Sequence, residues 1–502
     1  MLTDHFAELS EAILQDNTKR VSIGAAVVLV ALYFVYDKIS RPPKHLRHIP
    51  YINKFSFFSS LLFKKQSIAS FNNDYVEPLL RNKNLPQMQL RPGRAGWELF
   101  LLNPNPARKI LYELDVWQKT TIEAGREGTV NIDQVGGPNI LLYDGAVWEQ
   151  HRRLVKPAFA QCKPGNHFGR SFLKLFEIID KAGEKVDVVN LLDRTVLDAE
   201  GHAFMDFDFN ALDNPDGTWF RIYANIRAGM HDAFFYLLPF LDQKMLWLFP
   251  KRKQVHKDIA QYAAMMVDLI DTKRLALKEK KGTQTADSEK SLLTLMLEAE
   301  MKGEGHLSTS EIKSDINIFF IAGHDTTTNS IAAALYSMAV HQDVQEKARE
   351  EVLRIFGNDP VDAIPQEEQL NQLNYLNLVI KESLRLYGPV TEILPRVAKV
   401  DTELDGVLIP KGTPVGMSIY GIHHSDRVWK DSKEFRCDRY LPGGEAESMS
   451  VNGWLPLSEG EHYCVGKNFN LTAQHVALSM FLTHRTTESA LAFTLSRPNM
   501  EH

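Results

Sequence analysis

Cysteine is nearly absent from this chain of 502 residues: Cys162, Cys437 and Cys464 are the only three. An odd number at wide spacing builds no disulfide framework and points to a reducing compartment. An excess of one charge sign is missing as well, since 57 Lys and Arg face 63 Asp and Glu for a net charge of −6. That slightly acidic balance excludes the basic footprint of a nucleic-acid binder. There is no internal repeat and no low-complexity linker between large segments after residue 50. Repeat architectures and a string of separate domains therefore fall away. No glycine loop of the Walker or dinucleotide type is present. The pair His423-His424 has no second ligand pair at zinc spacing, and adjacent side chains diverge, so it is not read as a metal site.

What is present is ample apolar material, 44% of the chain, enough for one large core behind a short N-terminal appendage. Residues 1–20 form a polar tail of mixed charge. Val21 to Tyr36 then runs 16 residues without a charge, between Lys19-Arg20 and Asp37-Lys38. As a helix it spans roughly 24 Å, a little under the bilayer core of about 30 Å. Snorkelling lysines and interfacial Tyr33 and Tyr36 make up the difference, so 21–36 is expected to be a transmembrane anchor. A secretory signal fits less well, because the preceding polar region is long and no small-x-small cleavage site comes after it. Lys38, Arg41, Lys44 and Arg47 lie beyond the span, which places the body of the protein in the cytosol. Residues 37–50, with Pro42-Pro43 and Pro50, form a basic spacer, and 51–502 form the main domain.

The chain is read against Trp454 to Asn470, where Cys464 stands four residues after Gly460 and two before Gly466, directly ahead of a helical run from Asn468 to Leu482. A thiolate is a metal ligand, and a helix N-terminus lowers a thiol pKa. Two glycines let a tight loop approach something flat and large. A haem with Cys464 as axial ligand fits both features, and a thiolate ligand points to oxygen activation. Taken alone, a cysteine among glycines is more often a buried structural residue.

Other segments carry structural or chemical signals. Two alternating runs, Pro86 to Leu90 and Trp97 to Leu102, read as a hairpin around Arg91-Pro-Gly93, followed by a helix over Pro104 to Leu114 capped by Asn103. Trp148 and Arg152 sit four apart on one helix face, where an indole N–H and a guanidinium both suit a carboxylate; a surface Trp–Arg stack is the alternative. Met205 to Lys251 is crowded with aromatics, and the lysine-rich 274–291 reads as an exposed loop. Ser314 to His341 reads as a long buried helix whose centre, Ala322-Gly323-His324-Asp325-Thr326-Thr327-Thr328, defies helix preference; its glycine costs about 1 kcal/mol relative to alanine. Glu382-Ser-Leu-Arg385 lies on a further helix, Leu373 to Leu386, where an i,i+3 ion pair is by itself a weak signal.

In this order and spacing the segments resemble the cytochrome P-450 superfamily over roughly residues 50–480. Gly460, Cys464 and Gly466 are in register with its haem-binding signature, with Leu457 in place of phenylalanine and His462 in place of arginine. Ala322 to Thr327 matches the oxygen-activation motif; Glu382, Arg385 and Arg439 match a structural network, with Cys437 at a usual proline. The resemblance implies a mainly α fold with small β-sheets behind the N-terminal transmembrane helix. It implies haem b ligated by Cys464, with Trp148, Arg152, Arg396 and His462 reaching propionates. Gly323 would open the helix, Thr326 would hold the oxygen by its hydroxyl, and Asp325 would deliver protons. It further implies a monooxygenase of the endoplasmic reticulum membrane, single-pass with its catalytic domain facing the cytosol. Such an enzyme takes O2 and receives electrons from NADPH through a flavoprotein reductase, expected to dock at Arg152, Arg153 and Lys156. The aromatic region and the anchor favour a lipophilic substrate, a steroid or terpenoid ahead of a fatty acid or xenobiotic. The sequon Asn470-Leu-Thr472 lies inside the cysteine segment of a cytosolic domain and is discounted. Only 38 residues come after Cys464, and Thr483 to His502 does not resemble the family's terminal strands; a non-catalytic haem-binding protein is the alternative this leaves.

Overall fold

The computed structural model describes residues 17–64, 66–93, 96–120, 126–182, 186–279, 290–357, 363–449, 451–486 and 489–490. The helices that frame the site are, in chain order, α1 Asn17–Ser40, α2 Lys54–Leu62, α3 Pro104–Tyr112, α4 Val130–Val135, α5 Gly145–Gln161, α6 Gly165–Ala182, α7 Val188–Met205, α8 Thr218–Met230, α9 Pro250–Glu279, α10 Thr309–Val340, α11 Asn374–Tyr387 and α12 Lys467–Thr483. Strands β1 Met88–Gly93, β2 Gly96–Leu101, β3 Trp117–Lys119, β4 Glu392–Ala398 and β7 Pro414–Ser418 form one sheet in the order β1-β2-β7-β4-β3. β5 Thr402–Leu404 and β6 Val407–Ile409 pair separately. The architecture is mainly helical with small sheets, as expected.

Local signals account for most boundaries. Asn103 caps α3 by accepting from the Asn105 N–H at 3.0 Å. Ser308 and Glu311 form a reciprocal capping box at the start of α10. The β1–β2 turn falls later than Arg91-Pro-Gly93, because the register pairs Arg91 with Glu98 and Pro92 with Trp97 and closes at Gly93 and Gly96. Arg91 is buried in that strand, its guanidinium 4.6 Å from the Phe100 ring. Residues 274–279 are helical rather than loop: α9 continues through Glu279, held by Arg274, which donates to Thr309 Oγ1 at 2.6 Å and to Glu300 at 3.1 Å. Residues 280–289 lie outside the described residues, as do 1–16 and 491–502.

Two cores position the site. A large helical core joins α5, α6, α7, α10, α11 and α12 through residues such as Phe172, Leu197, Phe320, Ile331, Leu376 and Phe481. A smaller one lies on the sheet around Leu90, Leu101, Trp117 and Val415. α10 threads the first core and packs against α7, α9, α11 and α12. Its exposed or partly exposed positions Ala322, Thr326, Asn329 and Ala333 recur at helical spacing, so one stripe of a central helix lines a cleft.

The N-terminal expectation is met only in part. α1 is a helix of 24 residues with Val21, Val27, Leu29, Leu32 and Phe34 exposed. Among the described residues no helix is long and apolar enough to cross a membrane, so the expected span is not shown. α1 is tied to the main domain by Arg47, which donates to Asp37 at 2.7 Å, and by Tyr36, stacked on Phe55 of α2 at 5.5 Å.

Candidate functional site

Cys464 lies in the loop that enters α12. Its N–H donates to the Leu457 carbonyl at 3.0 Å, folding the loop back on itself. Gly460 sits at φ +74, and a Cβ there would lie 2.5 Å from the Leu111 carbonyl, so α3 and the turn together require glycine. A Cβ on Gly466 would lie 4.0 Å from Cys464 Sγ, in ordinary contact. Cys464 is exposed, yet the protein packed around it takes much of the water from its thiol. Desolvation therefore raises its thiol pKa, against the opposing pull of the Gly466 N–H, Arg152 and Lys467. The helix start alone does not produce the lowered pKa that the sequence predicts; a bound metal cation would supply that push.

α5 faces this loop. Trp148 is buried with its ring 4.0 Å from that of His462, and the Arg152 guanidinium lies 4.5 Å from the Tyr463 ring. From the other side β3 and β4 pair Lys119 opposite Arg396. Asp144, at the start of α5, accepts from the Lys119 N–H at 2.9 Å and lies 3.5 Å from His462 Nε2. Trp148, Arg152, Arg396, His462 and Cys464 are thus brought to one place from three parts of the chain.

The electrostatics of that place are lopsided. Burial lowers the pKa of Arg152 and Arg396, and pushes Lys119 down to about 7. Burial, with Lys119 and Arg396 beside it, pushes His462 down to about 3, so its imidazole is neutral. Desolvation opposes ionisation of Asp144, but the Lys119 and Gly145 N–H groups outweigh it and hold that carboxyl below the usual range. One carboxylate cannot satisfy the set: Arg152 Nη2, Arg396 Nη1 and His462 Nδ1 are buried without a hydrogen-bond partner. Unpaired donors beside an exposed thiol suit a flat, carboxylate-bearing cofactor with a metal at its centre, and haem fits that description. Lys119 and Asp144 escaped the sequence reading because neither belongs to a motif; only the β3–β4 register brings them in.

The Glu382 network is of another kind. Arg385 donates to Glu382 from Nε at 2.8 Å and from Nη2 at 2.7 Å, and Arg439 Nε donates to it at 3.2 Å. Tyr440 Oη and the Arg436 N–H complete the carboxylate's contacts at 3.1 and 2.9 Å. The remaining Arg385 donors reach the carbonyls of His423, Ser432 and Glu434. His423 bridges backbone, with Nδ1 3.0 Å from the Arg385 carbonyl and Nε2 accepting from the Leu455 N–H, which explains why it is not a metal ligand.

The third part is the centre of α10. Thr326 Oγ1 donates to the Ala322 carbonyl at 2.7 Å, satisfying the helix where glycine weakens it. Asp325 points away from that stripe to Arg227 of α8 at 3.2 Å and to exposed His231 at 3.4 Å. Desolvation opposes its ionisation, but His231 and Arg227 outweigh it and hold the carboxyl below the ordinary range. Arg227 also binds Asp193, and its Nη1 lies 3.1 Å from His324 Nδ1, while His324 Nε2 donates to the Asp193 carbonyl at 2.8 Å. Asp193, His324 and Asp325 have metal-ligating spacing, but the Arg227 guanidinium takes the cation's place.

Comparison with known proteins agrees with this geometry. The family model described as Cytochrome P450 matches residues 113–489. Cytochrome P450 4A2 of Rattus norvegicus is 27% identical over 398 residues, covering 76% of each chain. Cytochrome P450 3A12 of Canis lupus familiaris is 29% identical, covering 68% of this chain and 67% of its own. A Sus scrofa protein named taurochenodeoxycholic 6 alpha-hydroxylase is 26% identical over 69% of each. Among solved structures, a cytochrome P450DA heme domain superposes with a TM-score of 0.71 at 22% identity, over 86% of this chain and 90% of that one. With the family model spanning most of its length, this chain belongs to the cytochrome P450 family: it is a cytochrome P450 monooxygenase, of a family whose cofactor is haem.

Proposed function

We propose that the protein hydroxylates a lipophilic, steroid-like substrate at a membrane surface, with Cys464 as the haem ligand and electrons from NADPH through a flavoprotein reductase. The observation that carries the site is the convergence of exposed Cys464 with the unpaired donors of Arg152, Arg396 and His462. When bound, haem with a thiolate ligand supplies oxygen activation. The chain's own groups do the rest. Arg152 and Arg396 anchor the carboxylates of the cofactor, and neutral His462 gives one N–H. The Thr326 hydroxyl, on the cleft stripe, leaves its carbonyl partner to hold oxygen and pass a proton. Asp325, next to Thr326 in the helix and paired with exposed His231, takes protons from bulk water.

Membrane contact is supported by a group of exposed apolar side chains. The helix Ala233–Leu237 packs on α2, and around them Phe55, Phe63, Phe240 and Trp247 are exposed, Phe63 to 83% and Trp247 to 73%. These residues, with the exposed apolar residues of α1, suit attachment to the endoplasmic reticulum membrane through α1. They also suit a substrate that arrives from lipid, and the relative named for a taurochenodeoxycholic, hence steroidal, substrate supports a steroid-like molecule. For the reductase, a surface depression of ≈ 360 Å³ runs along α5 at the outer edge of the site, lined by Trp148, Glu149, Arg152, Arg153, Lys156 and Pro157. Its basic rim fits an acidic partner.

The deciding experiment is the reduced carbon-monoxide difference spectrum of the full-length protein beside Cys464→Ser. A red-shifted Soret band that disappears in the variant is the expected result. An unshifted band in the unaltered protein overturns Cys464 as the ligand. Steroid hydroxylation with reductase and NADPH, measured against fatty acids of similar size, then decides the substrate class.

A further inference from the structure

Glu200 is a charged residue in the wrong place. It lies on α7 facing α10, with no exposed surface. Neither carboxyl oxygen has a hydrogen bond of ordinary length and angle, and the group beside it that can donate is the Thr327 hydroxyl. A Cβ on Gly323 would lie 2.8 Å from Glu200 Oε1 and 3.1 Å from Oε2, so the glycine makes room for this carboxyl at the helix backbone. Residues two apart on a helix point about 200° apart, so Glu200 and the Asp325 side chain occupy different flanks of the cleft-facing Ala322–Thr326 stripe.

A buried polar string joins Glu200's neighbourhood to the helix behind Cys464. Gln474 Nε2 donates to Asn470 Oδ1 at 2.7 Å, and Asn470 Nδ2 donates to Thr327 Oγ1 at 3.1 Å. Because Thr327 Oγ1 accepts from Asn470, its own hydrogen is left to give toward the neighbouring Glu200 carboxyl. No core-packing purpose accounts for this string, since an apolar side chain at 200 would avoid the cost of a buried carboxyl.

We propose that Glu200 is a further proton-handling residue of the oxygen-activating segment, flanking Gly323 on the side away from Asp325 and joined through Thr327 and Asn470 to α12. This rests on the monooxygenase reading. The groups that face it divide the labour. Desolvation, then Asp325, raise its pKa well above the carboxylate range, with Thr327 opposing weakly. Tyr223 of α8 stays protonated nearby, and His324 stays neutral. Two carboxyls driven apart in this way form an acid and base pair: Asp325 ionised, Glu200 holding the proton. With oxygen bound beside the Gly323–Thr326 stretch, Glu200 would give it a proton, and the carboxylate would take one back from water entering past the partly exposed Gly323 backbone. The electrons are those the monooxygenase already receives.

The test uses the full-length holoprotein. Infrared spectra of the unaltered protein at neutral pH are expected to show the carbonyl stretch of a protonated carboxylic acid, shifted in D2O, lost in Glu200→Gln and displaced in Asp325→Asn. Peroxide released per NADPH is expected to rise several-fold in Glu200→Gln and to return toward normal in Glu200→Asp. A missing band, a band that survives Glu200→Gln, or unchanged peroxide yield in that variant overturns the proposal. An unaltered enzyme that binds haem yet consumes no oxygen overturns the monooxygenase reading instead, and the infrared band still decides the protonation of Glu200.

Discussion

Two clusters of buried cations differ in one respect. Around Glu382, each described donor of Arg385 and Arg439 meets a carboxylate or a carbonyl. Around His462, Arg152 and Arg396 keep unpaired donors, and a single carboxylate, Asp144, stands among them. A satisfied cluster holds a fold together; an unsatisfied one awaits a ligand. The first buries its charges where they are paired within the chain, so its contribution lies in folding. The second carries its desolvation cost in the apo chain and recovers it when carboxylates arrive.

The largest expected effect breaks the satisfied cluster. Arg385→Ala leaves Glu382 buried without its main partner and is expected to cost about 3–5 kcal/mol of stability, read as a lower urea midpoint or loss of folded protein. A loss below about 1 kcal/mol would show the network to be dispensable. Arg385→Lys is expected to rescue little, because an ammonium cannot reproduce the forked contacts.

The same change in the other cluster is expected to act on the cofactor. Arg396→Ala removes a donor to a charged group, worth about 1.5–3 kcal/mol, or roughly a 10- to 100-fold loss of haem affinity. Apo-protein stability should hold or rise, since a buried cation without a full partner is removed. Haem transfer to an acceptor apoprotein and an apo denaturation curve separate the two; a fall in apo stability with unchanged haem retention would erase the contrast.

Acid sharpens it further. The folded His462 takes a proton only near pH 3, while an unfolded imidazole does so near 6.5. The unfolded state therefore binds more protons as pH falls below 6.5, and between pH 7 and 5 this residue is expected to cost about 2 kcal/mol of stability. His462→Gln should flatten the curve over that window. A slope equal to that of the unaltered protein would mean that His462 is protonated in the fold.

The smallest effect concerns the outer edge of the second cluster. Lys156→Glu, on the exposed rim of the depression along α5, is expected to slow reduction by the reductase and to weaken its salt dependence without altering the spectrum. An unchanged rate at low salt would remove that face as the docking surface.

Much of this was legible in the chain itself. Asn103 before Pro104, and the alternating runs on either side of Gly93 and Gly96, specify their elements by local chemistry. The polar insult at Gly323 to Thr328 marked a site within a helix that its apolar flanks made certain. Glu382 and Arg385 were found as a pair one turn apart, and Arg439 joined them because its spacing resembled a known family. Lys119, Asp144 and Glu200 were not legible in this way. Each is an ordinary polar residue in its own segment, and its meaning depends on a strand register or a helix contact.

The sequence by itself determined the residue types and their order: a lone thiol before a helix, a glycine and acid inside a buried one, donors spaced along single faces. Those arise from periodicity and side-chain chemistry, which act over a few residues. Only the tertiary structure decided which charges find partners. It gave Asp325 to Arg227 and His231, left Arg396 and Arg152 with free donors, and set Glu200 against Gly323. Solvation and pairing depend on what packs against a group from distant parts of the chain, and no local pattern encodes that.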